Sequence, residues 1–183
     1  MHDNLSAEPT LLQNIFEANL GFKIYKNWWF DIGVFPSHIG FESGISKDCW
    51  NLTRSICAEN TPYYESGAKI SYNTKNQKWL FSGMYLNGWQ RIQKNPGYTL
   101  PSFGTQIVYK PSANATINHS TFLGYINPDS TAVLRLYNNI YFVYQVTNTF
   151  GITMGFDYGQ QQHSKKDPTL NFWFSNVLIL KYN

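Results

Sequence analysis

The stretch LRLYNNIYFVYQV (134–146), followed closely by FGITMGFDYGQ (150–160), decides the fold class. Within it, Ile140, Phe142 and Tyr144 lie two positions apart, with other side chains between them. An amphipathic helix repeats its apolar residues about every 3.6 positions, whereas a strand with two different faces alternates with a period of two. The stretch therefore predicts two long strands joined by a tight turn.

The same alternation recurs along the chain, and helical spacing fits none of these segments. It is clear in EANLGFKI (17–24) near the N-terminus and in FWFSNVLILKY (172–182) at the C-terminus. The pattern predicts an all-β chain with about nine antiparallel strands. These predicted strands span residues 14–25, 27–35, 66–74, 78–88, 103–111, 115–126, 132–146, 149–160 and 169–182.

Composition excludes several classes of protein. Aromatic residues make up 17% of the 183 residues and charged residues 14%, against about 25% charged in typical soluble domains. Disordered chains have few aromatic residues and a high net charge, so this composition excludes a disordered chain. No apolar run approaches the roughly 18 residues of a membrane-spanning helix, so a helical membrane protein is excluded too. The net charge of +3 comes from scattered Lys and Arg, which does not indicate a nucleic-acid partner.

Two all-β architectures remain, a soluble β-sandwich and a transmembrane β-barrel. Most of the predicted strands exceed the roughly five or six residues common in soluble sheets. They reach the roughly 9–11 residues that a tilted membrane-crossing strand needs. Strand length therefore favours the barrel.

The connections between the predicted strands support the same choice. Short links at Lys26, KNQ, PSAN and TN alternate with longer ones. The longer links span residues 36–65, 89–102, 127–131 and 161–168. A transmembrane barrel has short periplasmic turns and longer extracellular loops, whereas a Greek-key sandwich has no reason to alternate them. The pattern predicts an up-and-down barrel.

Aromatic residues concentrate beside the short turns, where a barrel carries an interfacial girdle. Aromatic residues also favour strands in general, so a packed core explains them almost as well. The candidate girdle residues are Tyr25, Trp28, Trp79, Tyr109, Tyr144 and Phe150.

Strand parity predicts that residues 1–183 form a partial barrel. Single-chain bacterial barrels have an even number of strands, with both ends on the periplasmic side. The first predicted strand starts on the side of the long loops, so we expect at least one further strand before Ser6. The N-terminal MHDNLSAEPT lacks the basic and apolar regions of a signal peptide, so we expect the signal peptide to be absent from this chain.

Five sequence blocks carry a resemblance to a known family. They are FPSHIGFESGISKDCWNLTRSICAENTPYY (35–64), LNGWQRIQ (86–93), PSFGTQIVYKPS (101–112), STFLGYINPDS (120–130) and MGFDYGQQ (154–161). Through them the chain resembles the OmpL-like β-barrel porins that are common in Bacteroidetes outer membranes. The resemblance implies an outer-membrane β-barrel with a passive pore for small solutes. It brings no catalytic or ligand-binding residues and no cofactor.

In such a barrel the polar member of each alternating pair faces the lumen. The candidate pore-lining residues are Glu17, Lys23, Asp31, Lys69, Gln106, Lys110, Arg135, Asn139, Asp157 and Lys181. Basic residues outnumber acidic ones in this set, which predicts a weak anion preference. We also expect Asn139→Arg to be tolerated in the lumen, whereas Ile140→Arg on the lipid side should cost about 2–4 kcal/mol.

The link 36–65 is the longest, and long links without regular structure are often functional. It has two interpretations, a constriction folded into the barrel or an extracellular loop with solvated charges. The candidate constriction residues are Glu42, Lys47, Asp48, Arg54 and Glu59. The same link holds Cys49 and Cys57, which either pair as a disulfide or remain free thiols. Their spacing does not fit a zinc site.

The sequence predicts no enzyme. The histidines are scattered, and no HExxH, GxSxG, phosphate-loop or GxGxxG motif is present. The leading prediction is a bacterial outer-membrane porin for passive diffusion, with outer-membrane lipid and small solutes in transit as partners, and with a homo-oligomer left open. Two alternatives remain, a soluble β-sandwich that binds carbohydrate and a substrate-specific outer-membrane uptake barrel.

Overall fold

The computed structural model describes residues 12–94 and 96–183. These residues form one antiparallel sheet in which every strand pairs with its neighbour in the chain, in the order β1 to β9. The strands are β1 (Ala18–Tyr25), β2 (Trp28–Pro36), β3 (Tyr64–Asn73), β4 (Trp79–Leu86), β5 (Ser102–Ser112), β6 (Ala115–Tyr125), β7 (Leu134–Gln145), β8 (Phe150–Gln162) and β9 (Leu170–Tyr182).

This topology confirms the predicted all-β, up-and-down arrangement of nine strands. A β-sandwich requires two sheets packed face to face, and the described residues form a single sheet. The sheet is open, since no pairing joins β1 to β9 in the described part of the chain. The partial barrel over residues 1–183 stays a prediction.

The first strand begins later than the alternation predicted. Residues 12–14 form a short 3₁₀ turn, and β1 starts at Ala18 instead of residue 14. The ring of Phe16 packs against Gly44 of the long loop, so closely that a Cβ at Gly44 would lie 2.6 Å from the ring. Phe16 therefore leaves the strand to cover the loop, which an alternating pattern does not reveal.

Short and long connections lie at opposite ends of the strands. At the short-turn end the chain reverses through Lys26 and Gln77, which adopt left-handed backbone angles of 34° and 54°. At the other end lie the segments 37–63, 87–101, 126–133 and 163–169. We name residues 37–63 the long loop. It includes a 3₁₀ turn (Ser46–Asp48) and the short helix α1 (Ile56–Glu59). No helix in the described ranges has the length and hydropathy needed to cross a membrane.

The two faces of the sheet differ in chemistry, because directly paired residues on antiparallel strands point to the same side. On one face, which we name the outer face, apolar residues pair with apolar residues, as Phe30 does with Ile70 and Ile140 with Phe156. Many of these side chains are exposed. The exposed apolar residues of the outer face include Leu20, Phe22, Ile32, Ile70, Phe103, Ile107, Ile140, Met154, Phe156, Leu178 and Leu180.

The opposite face, which we name the inner face, carries the hydrophobic core and the long loop. The core lies towards the long-loop end of the strands and includes Phe35, Leu86 and Phe122. Trp89 presents an edge to Phe122, with ring centroids 4.9 Å apart, and lies 5.1 Å from the ring of Tyr137. Apolar packing therefore fills one end of the inner face and leaves the middle of the strands to polar residues.

Candidate functional site: the inner face and its loop

A row of polar side chains crosses the inner face at one level of the sheet. Each member is the direct cross-strand partner of the next, so all point to the same side. We name this set the polar row: Ser71, Ser82, Gln106, Ser120, Asn139, Asp157 and Ser175. Alternation alone predicts that such residues share one face. Only the register shows that the seven residues lie side by side on neighbouring strands.

The long loop docks onto this row through its backbone. The carbonyl oxygen of His38 accepts hydrogen bonds from Ser120 Oγ at 2.5 Å and from Gln106 Nε2 at 3.2 Å. The backbone N–H of Gly40 donates to Asn139 Oδ1 at 3.1 Å. The segment 38–40 therefore provides hydrogen-bond partners for Gln106 of β5, Ser120 of β6 and Asn139 of β7.

Asp157 and Ser175 lie under the same loop. Asp157 is completely buried and accepts a hydrogen bond from Asn139 Nδ2 at 2.6 Å. Cys57, on α1, lies with its sulfur 3.2 Å from Ser175 Oγ. Burial raises the pKa of the Cys57 thiol to about 11. Both Cys49 and Cys57 are free thiols.

His38 anchors the loop by its side chain as well as its backbone. Its Nε2 lies 2.8 Å from the carbonyl oxygen of Thr121. Because a carbonyl only accepts, Nε2 carries the proton of the neutral ring. The other nitrogen, Nδ1, is buried and has no hydrogen-bond partner among residues 12–94 and 96–183. Burial lowers the pKa of His38 to about 4, the bond to Thr121 raises it in part, and the positive charge of Lys69 lowers it further.

Three of the five candidate constriction residues hold the loop's own fold. Glu42 accepts hydrogen bonds from the backbone N–H of Ser55 at 3.1 Å and from Asn51 Nδ2 at 3.2 Å. Arg54 lies 3.3 Å from a carboxylate oxygen of Glu59. These contacts tie the two halves of the loop together.

The other two candidates, Lys47 and Asp48, are adjacent and exposed. Their ion pair of 2.9 Å joins two neighbours on the 3₁₀ turn, and the Lys47 side chain is 78% accessible. A pair of this kind contributes little to stability. These two charges are therefore available to solvent.

A cavity of about 200 Å³ separates the loop from the short-turn half of β7, β8 and β9. Phe41, Glu42 and Trp50 line it from the loop, and Val143 and Thr153 line it from the strands. The loop is thus bonded to the sheet at the polar row, and beyond the row it meets the strands through Phe41, which packs on Tyr141, and Trp50, which packs on Gly151.

The structure places most of the predicted pore-lining residues on the inner face. In the cross-strand register, these residues point to the same side of the sheet as the polar row. They are Lys23, Asp31, Lys69, Gln106, Arg135, Asn139, Asp157 and Lys181. Lys110 is exposed and lies past the last regular pair of β5 with β6. Glu17 precedes β1 and is exposed, and Asn19 Nδ2 donates to its carboxylate at 3.4 Å.

Contacts on the inner face occupy several of these charges. Lys69 Nζ lies 3.4 Å from an oxygen of Asp31. The Arg135 guanidinium lies over the ring of Trp89 at 4.8 Å and of Trp173 at 5.6 Å. Attraction between a cation and an aromatic face holds Arg135 within the packed end of the inner face.

The expectation that Asn139→Arg is tolerated is wrong. Asn139 is 2% exposed, because the long loop covers it. Its amide bonds to both Gly40 and Asp157. An arginine there would displace the loop and leave two buried groups without their partner.

Sequence reasoning missed His38 and Glu65. The sequence shows His38 only as one of four scattered histidines, and nothing in its neighbours along the chain indicates burial. The alternation assigns Glu65 to the link 36–65, but Glu65 lies at the start of β3 opposite Phe35 and is completely buried. Only the fold brings these groups inside.

Comparison with known proteins agrees with this architecture. No curated protein and no solved structure gives a significant match to the chain. A family model does match, and it covers residues 1–183, the whole chain. The chain belongs to the family described as "Putative beta-barrel porin-2, OmpL-like".

Proposed function

We propose that this protein is an outer-membrane porin that lets small solutes diffuse passively through a water-filled pore. The observation that carries the proposal is the register, which segregates apolar from polar residues across nine strands. Exposed apolar side chains on the outer face suit lipid, and the polar row suits an interior that holds water. Family membership supports the same function.

Aromatic contacts near the short turns support a position in a membrane. The rings of Trp28 and Tyr72 lie 4.9 Å apart, and those of Trp79 and Tyr109 are stacked at 4.1 Å. All four lie in the part of their strands that is next to the short turns. Tyr and Trp at this height fit the interface between headgroups and hydrocarbon. We assign the short turns to the periplasmic side.

We assign the long loop to the constriction of the pore. Its support is the docking of segment 38–40 on β5, β6 and β7, which places the loop across the inner face. A loop in that position narrows the path and leaves Lys23 of β1 and Trp29 of β2 exposed on the inner face beside it. Lys47 and Asp48, at the exposed end of the loop, then meet the passing solute.

The charges left free on the inner face favour anions. Asp157 is covered, and Asp31 is paired with Lys69. Lys23 is exposed on the inner face of β1. A ring of one sign of charge sets the preference of a pore. We therefore propose a weak anion preference.

The test is swelling of liposomes that contain the purified protein, with neutral sugars of increasing size in the outer solution. We expect swelling rates that fall smoothly with sugar size, as diffusion through a water-filled pore requires. Equal rates in protein-containing and protein-free liposomes would reject the porin. Saturable uptake of a single sugar would instead favour a substrate-specific uptake barrel.

A further inference from the structure

We propose that His38 is an acid-sensitive latch that holds the long loop against the inner face and releases it when the ring takes up a second proton. The release itself depends only on the contacts of His38. Its effect on solute flow rests on the porin function proposed above.

Three hydrogen bonds meet at this one residue. The ring donates to Thr121, and the backbone carbonyl accepts from Gln106 and from Ser120. The ring also lies directly against Gly104, where a Cβ would be 2.7 Å from Nε2. The ring therefore cannot shift towards β5, and movement of the whole residue away from the sheet breaks all three bonds.

A second proton would reside on Nδ1, which is buried without an acceptor among the described residues. The groups that face His38 from β5 and β6 are the neutral Gly104, Gln106, Ser120 and Thr121. The charge that acts on His38 from the neighbouring strands is that of Lys69 of β3, whose own partner is Asp31 of β2. Lys69 repels the added proton, and Nδ1 has no acceptor among the described residues, so the docked loop does not compensate the charge of the imidazolium.

The expected effect follows from linkage. With a pKa of about 4 in the docked state and the ordinary value of 6.5 when the loop is open, the docked-to-open ratio falls about 30-fold from pH 7.5 to pH 5. The neutral ring favours docking. The docked loop is therefore fully stabilised above pH 6.5, and this stabilisation is lost progressively as the pH falls towards 4.

Hydrogen exchange measured by mass spectrometry on the protein in detergent micelles tests the latch, after correction for the intrinsic pH dependence of exchange. Amides in residues 37–45, including the Gly40 N–H bonded to Asn139, should lose protection about 30-fold at pH 5 relative to pH 7.5. Peptides from β6 to β8 should keep theirs. Equal protection of residues 37–45 at both pH values would overturn the proposal.

His38→Gln is the matched variant, because its amide can still donate to Thr121 but does not titrate. It should keep the loop protected at both pH values, whereas His119→Gln, on the outer face, should respond to pH as the unchanged protein does. Loss of protection at pH 5 in His38→Gln would show that another group is the sensor and would overturn the latch. If His38→Gln fails to fold, Gly104→Ala provides the second test, since it crowds the ring and should release the loop at pH 7.5.

Single-channel conductance at pH 7.5 and pH 5 separates the latch from the porin function. Exchange that depends on pH in a protein without channels would leave the latch in place and reject the porin. Channels formed by a protein whose exchange does not depend on pH would support the porin and overturn the latch.

Discussion

Asn139 Oδ1 accepts a hydrogen bond of 3.1 Å from the backbone N–H of Gly40, across 99 positions of the chain. One end of this bond is in the middle of β7, and the other is in the loop that leaves β2. The loop is therefore attached to a strand in the far half of the sheet, beyond the two strands that flank it. This attachment turns a surface connection into part of the inner face.

Asn139→Ala should loosen the loop. It removes the acceptor for Gly40 and the donor for Asp157, which leaves two buried groups unsatisfied. We expect a loss of about 1–3 kcal/mol in the free energy of unfolding, measured by urea titration in micelles. The control is Thr105→Ala, which removes an exposed hydrogen bond between the hydroxyls of Thr105 and Thr121. It should change the free energy of unfolding little. Equal losses in the two variants would contradict the docking.

Ile140→Arg should be costly because the side chain points from the outer face, where it is 47% exposed. If that position lies near the middle of the bilayer, the charge costs about 2–4 kcal/mol. Trp29→Arg is the control, since Trp29 lies on the inner face opposite Ser71 and is 43% exposed. The measurement is the free energy of unfolding in lipid vesicles. Because the two positions are similarly exposed, an equal loss of free energy in both arginine variants would argue against lipid on the outer face.

Cys49 and Cys57 should differ in their reaction with iodoacetamide. Burial raises the pKa of Cys57 to about 11, so its reactive thiolate is scarce at pH 8 and increases only as the pH approaches 11. Cys49 is partly exposed. We expect Cys49 to be modified at least about tenfold faster, as read by peptide mass spectrometry. Denaturation in urea should bring the two rates together, and equal rates in the folded protein would show that α1 does not cover Cys57.

Lys23→Gln should weaken the preference of the pore for anions. Lys23 is exposed on the inner face of β1, and rings of charge set selectivity. The reversal potential in a KCl gradient should move towards zero. The control is Lys75→Gln, in the short β3–β4 turn outside the strands, which should leave the potential unchanged. A larger anion preference after Lys23→Gln would show that the charge balance has been assigned with the wrong sign.

The strands were predictable because their determinants are local. β7 and β8 alternate cleanly, so their bounds came out within two residues. The start of β1 was not, since Phe16 continues the alternating pattern in sequence while its ring packs on Gly44. Contacts between distant parts of the chain override a local pattern.

The site was predictable only in part, for the same reason. Alternation placed Asn139 and Asp157 on the correct face together with the other polar residues. It could not show that a loop from β2 covers both, because Gly40 and His38 carry no signal of docking in their own neighbourhood. The misjudged tolerance of Asn139→Arg follows from that gap.

Single-channel recording in a planar lipid bilayer tests the central claim most directly, that the sheet belongs to a water-filled pore. We predict stepwise current increases on addition of the purified protein, with a reversal potential in a KCl gradient that indicates a weak preference for chloride. Bilayers that stay silent, while the same protein shows native β-sheet circular dichroism in lipid, would contradict the account.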